Sequence, residues 1–87
     1  MIIEPREAMS PEKEDAIRKK RKVFAQNLRA ARIEAGLTQN DVARITGLTQ
    51  AFLSLVETAS TNISLDNLVI LSEVVHQPLC KLLTSKE

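Results

Sequence analysis

The side chains with the clearest chemical capability are two glutamines that occupy the same place in a repeated tetrapeptide. The sequence Gly-Leu-Thr-Gln occurs at Gly36–Gln39 and again at Gly47–Gln50, and the two copies contain both glycines of the 87-residue chain. A glutamine amide donates and accepts hydrogen bonds, as does the threonine hydroxyl before it. This chemistry suits recognition of a polar surface rather than the making or breaking of bonds.

The residue types needed for catalysis or metal binding are scarce. The chain has one histidine and one cysteine, His76 and Cys80, four positions apart. A structural zinc site needs four such ligands and a catalytic one usually three, and a Cys–His nucleophile pair needs an orienting group. We therefore predict that the protein is not an enzyme and binds no metal or cofactor, with His76 capping a helix and Cys80 buried as a small apolar residue.

Positive charge is concentrated in the middle of the chain. Residues 16–64 contain eight basic and three acidic side chains, a net charge of +5, whereas the whole chain has a net charge of +1. Five of these cations are consecutive, Arg18–Lys22. A basic middle between acidic ends indicates a localised contact with a polyanion. For Arg18–Lys22 a second interpretation stays open, a solvated basic face next to the acids of the preceding turn.

Helices must position these groups, because helix signals recur along the chain and strand signals do not. Ser10-Pro11-Glu12 is typical of a helix start. In each tetrapeptide the glycine ends one helix and the threonine caps the next, and Ser64 and Pro78 begin two more. The predicted helices cover residues 11–35, 39–45, 50–58, 65–75 and 78–83. Core residues predicted on the middle helices are Val42, Ala43, Ile45, Phe52, Leu53 and Val56.

The segment LRAARIEAGLTQNDVARITGLTQAFLSLVE, residues 28–57, resembles the helix-turn-helix domain of phage repressor and Cro-like (Xre-type) transcription factors, and TNISLDNLVILSEVV at 61–75 continues the resemblance. The resemblance implies an all-α, compact five-helix bundle that binds duplex DNA, as a homodimer on a palindromic operator, with its third helix in the major groove. Residues 1–22 would form a charged N-terminal extension, partly helical or disordered, and residues 23–87 the DNA-binding domain.

The expected DNA contacts follow from the two helix starts. A helix N-terminus favours a phosphate, so Gln39 is expected at the backbone, while Gln50 on the third helix can pair with an adenine edge. Leu55 either packs against a thymine methyl group or is simply an exposed leucine. The predicted DNA-binding residues are Thr38, Gln39, Thr49, Gln50, Ala51, Ser54, Leu55, Thr61 and Asn62.

Arg32 and Glu57 are predicted to form an ion pair, which the resemblance implies would join the first helix to the end of the third. The alternative is two solvated charges. After Glu57 the family commonly has a basic residue and a glycine, whereas this chain has Thr58-Ala59. A phosphate contact at position 58 is therefore in doubt, and the third helix must end without its usual glycine.

The fourth helix is too apolar for a single buried stripe. The apolar residues beyond that stripe predict a self-complementary dimer surface, since two-fold dimers are the commonest oligomers. A well-buried helix in a small core is the alternative. The residues assigned to the dimer surface are Val69, Ile70, Leu79, Leu82 and Leu83.

Two rival functions remain open at this point. One is an antitoxin-type interaction module that neutralises a toxin partner and binds DNA only to regulate itself. The other is a helix-turn-helix used purely as an adaptor, which would not need Gln39, Gln50 and the basic middle together. A cytoplasmic protein with no membrane partner is expected, because no apolar run approaches the roughly 20 residues that span a bilayer.

Overall fold

The computed structural model describes residues 10–86, which form five α-helices joined by short turns. The helices are α1 (Pro11–Glu34), α2 (Gln39–Thr46), α3 (Gln50–Glu57), α4 (Leu65–Val74) and α5 (Leu79–Leu82). No strand occurs in this part of the chain. The predicted all-α fold is confirmed, and every helix bound lies within one residue of its prediction. The predicted N-terminal extension is helical from Pro11 onward, and its residues before Ser10 lie outside the described part.

Side-chain caps begin the two central helices, as the tetrapeptide predicts. The Thr38 hydroxyl accepts from the backbone N–H of Asp41 at 3.0 Å, and the Thr38 N–H donates to the Asp41 carboxylate at 2.9 Å, forming a capping box. These bonds, with a smaller contribution from Arg44, lower the pKa of Asp41. The box is therefore complete at neutral pH and weakens only as pH falls through that lowered pKa. Thr49 caps α3 by accepting from the Phe52 N–H at 3.0 Å.

Both glycines end helices in the left-handed region. After α1, Gly36 has φ +76°, and the Leu37 N–H reaches back to the Arg32 carbonyl at 3.1 Å. After α2, Gly47 has φ +80°, and its N–H donates to the Ala43 carbonyl at 2.9 Å. Glycine takes this conformation without a Cβ penalty, which explains why both glycines of the chain stand at these junctions.

Two further helices end in the same way without glycine. Ala59 has φ +59° after α3, and the Ser60 N–H donates to the Leu55 carbonyl at 2.8 Å. His76 has φ +58° one position after Val75, the C-cap residue of α4, so it lies in the turn that ends the helix rather than at the cap itself. A side chain in this region carries strain of about 1–2 kcal/mol, which the hydrogen bonds of the turn must offset.

Replacing Ala59 with glycine is expected to raise the free energy of unfolding by about 0.5–1 kcal/mol, because relief of the left-handed strain exceeds the added flexibility of the unfolded chain. The measurement is chemical or thermal denaturation. As a matched control, Ala30→Gly on the exposed face of α1 should lower stability by about 1 kcal/mol. Destabilisation by both changes would contradict the strain argument.

A single apolar core joins all five helices. Its buried members are Phe24, Leu28, Ala31, Val42, Leu53, Val56, Leu71, Val75 and Leu82. α1 also holds the end of α5 by polar contacts, since the buried Asn27 amide donates to the carbonyls of Leu82 and Thr84, both at 2.9 Å. α1 therefore packs against both α3 and α5, while α2 packs against α3 and α4.

Three sequence predictions about burial are wrong. Ile45 is 56% exposed, because the buried side of α2 lies between Val42, Ala43 and Thr46. Cys80 is exposed and Leu82 is buried in the core, because the one-turn helix α5 directs its leucines inward and Cys80 outward. Leu82 is therefore not available for a dimer surface.

Candidate nucleic-acid interface

α3 has one face in the core and one face in solvent. Leu53 and Val56 are buried, whereas Gln50, Ala51 and Ser54 are exposed. Leu55 is 47% exposed, so its predicted place on the outer side is confirmed. The outer face presents an amide, a hydroxyl and two apolar side chains on a helix two turns long, which is the size that fits the major groove of duplex DNA.

An ion pair anchors the end of α3 to α1. Arg32 Nε donates to Glu57 Oε2 at 2.7 Å and Arg32 Nη2 donates to Oε1 at 2.9 Å, a bidentate geometry. The side chains are 12% and 4% exposed, so the alternative of two solvated charges was wrong. Arg32 Nη1 also donates to the Leu37 carbonyl at 2.8 Å. The hydrogen bonds that Arg32 donates to Glu57 raise the pKa of Arg32 above its usual value, which keeps the guanidinium charged.

A row of side-chain hydrogen bonds links this ion pair to the start of α3. Gln39 Nε2 donates to Glu57 Oε1 at 3.1 Å, and Gln50 Nε2 donates to Gln39 Oε1 at 3.3 Å. The sequence predicted the individual residues but missed both amide bonds. The signal that could have revealed them is the tetrapeptide itself, because it places the two glutamines at the same position of successive helices.

The loop between α3 and α4 lies beside the first half of α1. Thr61 is half-buried and Asn62 is exposed, so both are accessible as predicted. The Thr58 hydroxyl is already used, since it donates to the Ser54 carbonyl at 3.0 Å. Between the loop and α1 lies an apolar cavity of about 230 Å³. It is lined by Ile17, Lys20, Arg21, Phe24, Val56, Ala59, Thr61, Asn62, Ile63, Leu68 and Leu83.

The remaining predicted residues lie away from α3. On α4, Val69 and Ile70 are 42% and 39% exposed, whereas Leu79 and Leu83 are partly buried against the core. Within residues 10–86, no three or more His, Cys, Asp and Glu side chains come together in a way that could hold a metal. No helix in this range is long and apolar enough to cross a membrane.

The sequence matches a known family across most of the bundle. Residues 28–82 match the helix-turn-helix family. Over 64 residues the chain is 33% identical to the control protein C.SmaI from Serratia marcescens, an alignment that covers 74% of this chain and 76% of that protein.

Two solved structures share the fold. The hypothetical transcription factor NHTF from Neisseria superposes with a TM-score of 0.73 at 31% identity, covering 77% of both chains. The restriction-modification controller protein C.AhdI from Aeromonas hydrophila superposes with a TM-score of 0.69 at 30% identity, covering 74% of this chain and 97% of that one. The family match includes all of α2 and α3, and the chain belongs to the repressor/Cro-like helix-turn-helix family of DNA-binding transcriptional regulators.

Proposed function

We propose that the protein binds a palindromic DNA operator as a homodimer, with α3 of each protomer in the major groove, and so controls transcription. The observation that carries this proposal is the hydrogen-bonded row from Glu57 through Gln39 to Gln50, which holds an exposed amide at the N-terminus of an outward-facing helix. The similarity to a restriction-modification controller protein supports the same regulatory role for this chain.

The hydrogen-bond donors and acceptor that remain free on the Gln50 amide support direct recognition of adenine. A glutamine amide has two N–H donors and one oxygen acceptor. Gln39 takes one of the donors, which leaves the other donor and the oxygen. A bidentate pair with adenine needs one donor for N7 and one acceptor for the N6 amino group. The bond to Gln39 therefore orients the Gln50 amide without using the atoms that the base requires.

The neighbouring residues supply the remaining contacts of the proposed site. On α3, Ala51 and Leu55 offer methyl groups to thymine and Ser54 offers a hydroxyl. The second N–H of the Gln39 amide is available to a phosphate at the N-terminus of α2, together with the Thr38 and Thr49 hydroxyls. From the loop after α3, the Asn62 amide can donate to the DNA backbone, and the Thr61 hydroxyl can do so by exchanging its hydrogen bond to the Asn62 carbonyl.

The proposed dimer forms through the outer face of α4. Its apolar side chains Leu65, Val69 and Ile70 are 67%, 42% and 39% exposed. An exposed apolar cluster on one helix is a common protein-binding surface. A two-fold dimer would bury it against its own copy and place two α3 helices on successive major-groove faces, which requires two half-sites about one helical turn of DNA apart.

The proposed function is tested by selecting bound duplexes from a random pool and then measuring a Gln50→Ala variant. The selected sequence is expected to contain an inverted repeat. The variant is expected to lose about 2–6 kcal/mol of binding free energy for that sequence, roughly 30- to 10,000-fold in Kd, because a bidentate pair of about 1–3 kcal/mol is removed from each of the two half-sites. Binding to unrelated duplexes should change little.

Gln77→Ala, in the turn after α4, is the matched glutamine control and should bind like the wild type. Equal losses of Gln50→Ala on selected and unrelated duplexes would show that Gln50 positions the helix rather than reads a base. Recovery of a single, unrepeated half-site would contradict the dimer, and recovery of no preferred sequence would contradict operator reading.

A further inference from the structure

We propose that the face of α1 that carries Arg18, Lys22 and Arg29, called here the α1 basic stripe, binds the phosphate backbone flanking the sequence that α3 reads. This inference rests on the proposed function and extends it to a second contact. Two of its three residues, Arg18 and Lys22, precede residue 28, where the match to the family begins.

Helical geometry places the three cations of the stripe on one side of α1. At 3.6 residues per turn, Arg18 and Lys22 are about one turn apart and Arg29 follows about two turns later on nearly the same face. All three residues are exposed. Among residues 10–86 none of them forms an ion pair with a carboxylate, since the pairs described there are Lys19–Asp15, Arg32–Glu57 and Arg44–Asp41.

The stripe runs alongside the end of α3. Arg18 and Lys22 share a surface depression with Glu57, Thr58 and Ala59. Arg29 lines the next depression along α1, again with Glu57. The charge of Glu57 is compensated there by Arg32, and Glu34 is the other acid in that depression. The α1 basic stripe therefore lies beside the end of α3 and extends along α1 from Arg18 to Arg29.

The first half of α1 is held against the bundle, so the stripe is a fixed surface. Lys20, on a different face of the helix, donates from Nζ to the Leu83 carbonyl at 3.0 Å. Ile17 and Arg21 border the cavity against the α3–α4 loop. Lys19 pairs with Asp15 at 3.0 Å. The run of five cations thus divides by face, and Arg18 and Lys22 are the two directed toward the end of α3.

The chemistry of the neighbouring loop favours a phosphate partner. The residue after Glu57 is Thr58, which is uncharged and whose hydroxyl donates to the Ser54 carbonyl. The loop 58–62 contains no basic residue, so its contacts with DNA would be limited to hydrogen bonds. Arg18 and Lys22 provide positive charge beside that loop, where counterion release would strengthen binding without regard to base sequence.

The experiment compares two triple variants with the same net charge on the selected duplex. The stripe variant is Arg18→Gln/Lys22→Gln/Arg29→Gln. The control variant is Lys13→Gln/Lys19→Gln/Lys81→Gln, whose exposed lysines lie on other faces of the molecule. Kd is measured at several salt concentrations, on the full duplex and on one trimmed to the bases of the two half-sites, and thermal melts verify that both variants fold.

If the stripe contacts phosphates, the slope of log Kd against log salt for the stripe variant should be shallower than wild type by about 5, since the two protomers carry three stripe cations each and each phosphate contact contributes about 0.9. Trimming the duplex should reduce the slope of the wild type and the control but not that of the stripe variant. Equal slopes for the two variants, with wild-type binding intact, would overturn the stripe alone. Absence of any duplex binding by the wild type would instead overturn the proposed function, and the stripe with it.

Discussion

Replacing Glu57 with alanine is expected to lower the free energy of unfolding by about 3–5 kcal/mol, because it leaves the Arg32 guanidinium in a largely dry site with only the Leu37 carbonyl as a partner. For a domain of this size the melting temperature should fall by roughly 12 °C or more. The change also removes the acceptor of the Gln39 amide, so DNA affinity should fall even at temperatures where the variant remains folded.

Two further variants separate the charge from the geometry. Glu57→Gln keeps an acceptor for Arg32 but loses the opposite charge, and it should fall between the wild type and Glu57→Ala. Asp15→Ala removes the acid from the Asp15–Lys19 pair, whose side chains are 52% and 78% exposed, and should change stability by less than about 1 kcal/mol. If Glu57→Ala melts within a few degrees of Asp15→Ala, the ion pair does not stabilise the bundle in the way proposed.

Leu53→Ala is expected to lower the free energy of unfolding by about 2–5 kcal/mol, because it truncates a fully buried side chain of α3. Leu53 is 1% exposed and belongs to the core that joins α3 to the rest of the bundle. The loss combines the apolar contacts of the deleted atoms with the cavity they leave. Chemical denaturation at equilibrium measures it directly.

The same substitution two residues later provides the matched control. Leu55 lies on the outer face of α3 and is 47% exposed, so Leu55→Ala should change stability by no more than about 0.5 kcal/mol. Its effect should appear in binding, as a loss of about tenfold or less that is confined to sites with thymine opposite its methyl groups. A folded Leu55→Ala variant with unchanged affinity for every site would leave Leu55 as an ordinary exposed leucine.

The helix boundaries could be predicted because each depends on neighbouring residues. In both copies of the tetrapeptide the glycine stands two residues before a threonine cap, a spacing that favours a left-handed turn between two helices, and both copies form that junction. Ala59 shows where this reasoning was incomplete. No local signal favours alanine with φ +59°, and the conformation is held by hydrogen bonds to Leu55 and Val56 that exist only once α3 has formed.

The burial of a side chain was harder to predict than the position of a helix, since burial depends on which other helices pack against it. Ile45 has the large apolar side chain typical of a core residue, yet the helices that pack against α2 cover only the side that carries Val42. The single turn of α5 contains two leucines, Leu79 and Leu82, and only packing against α1 and α4 determined that Leu82 is buried and Cys80 exposed.

The amino-acid sequence by itself determined the five helices and the residues that begin them, because these depend on short-range spacing, and it determined the family and the expected pairing of Arg32 with Glu57 through a recognisable pattern. Only the tertiary structure decided that Gln39 bonds to both Glu57 and Gln50, and that Arg18, Lys22 and Arg29 lie beside the end of α3. Those relations join residues from different helices, and the angles at which helices pack are set by the combined shape of the core rather than by any one segment.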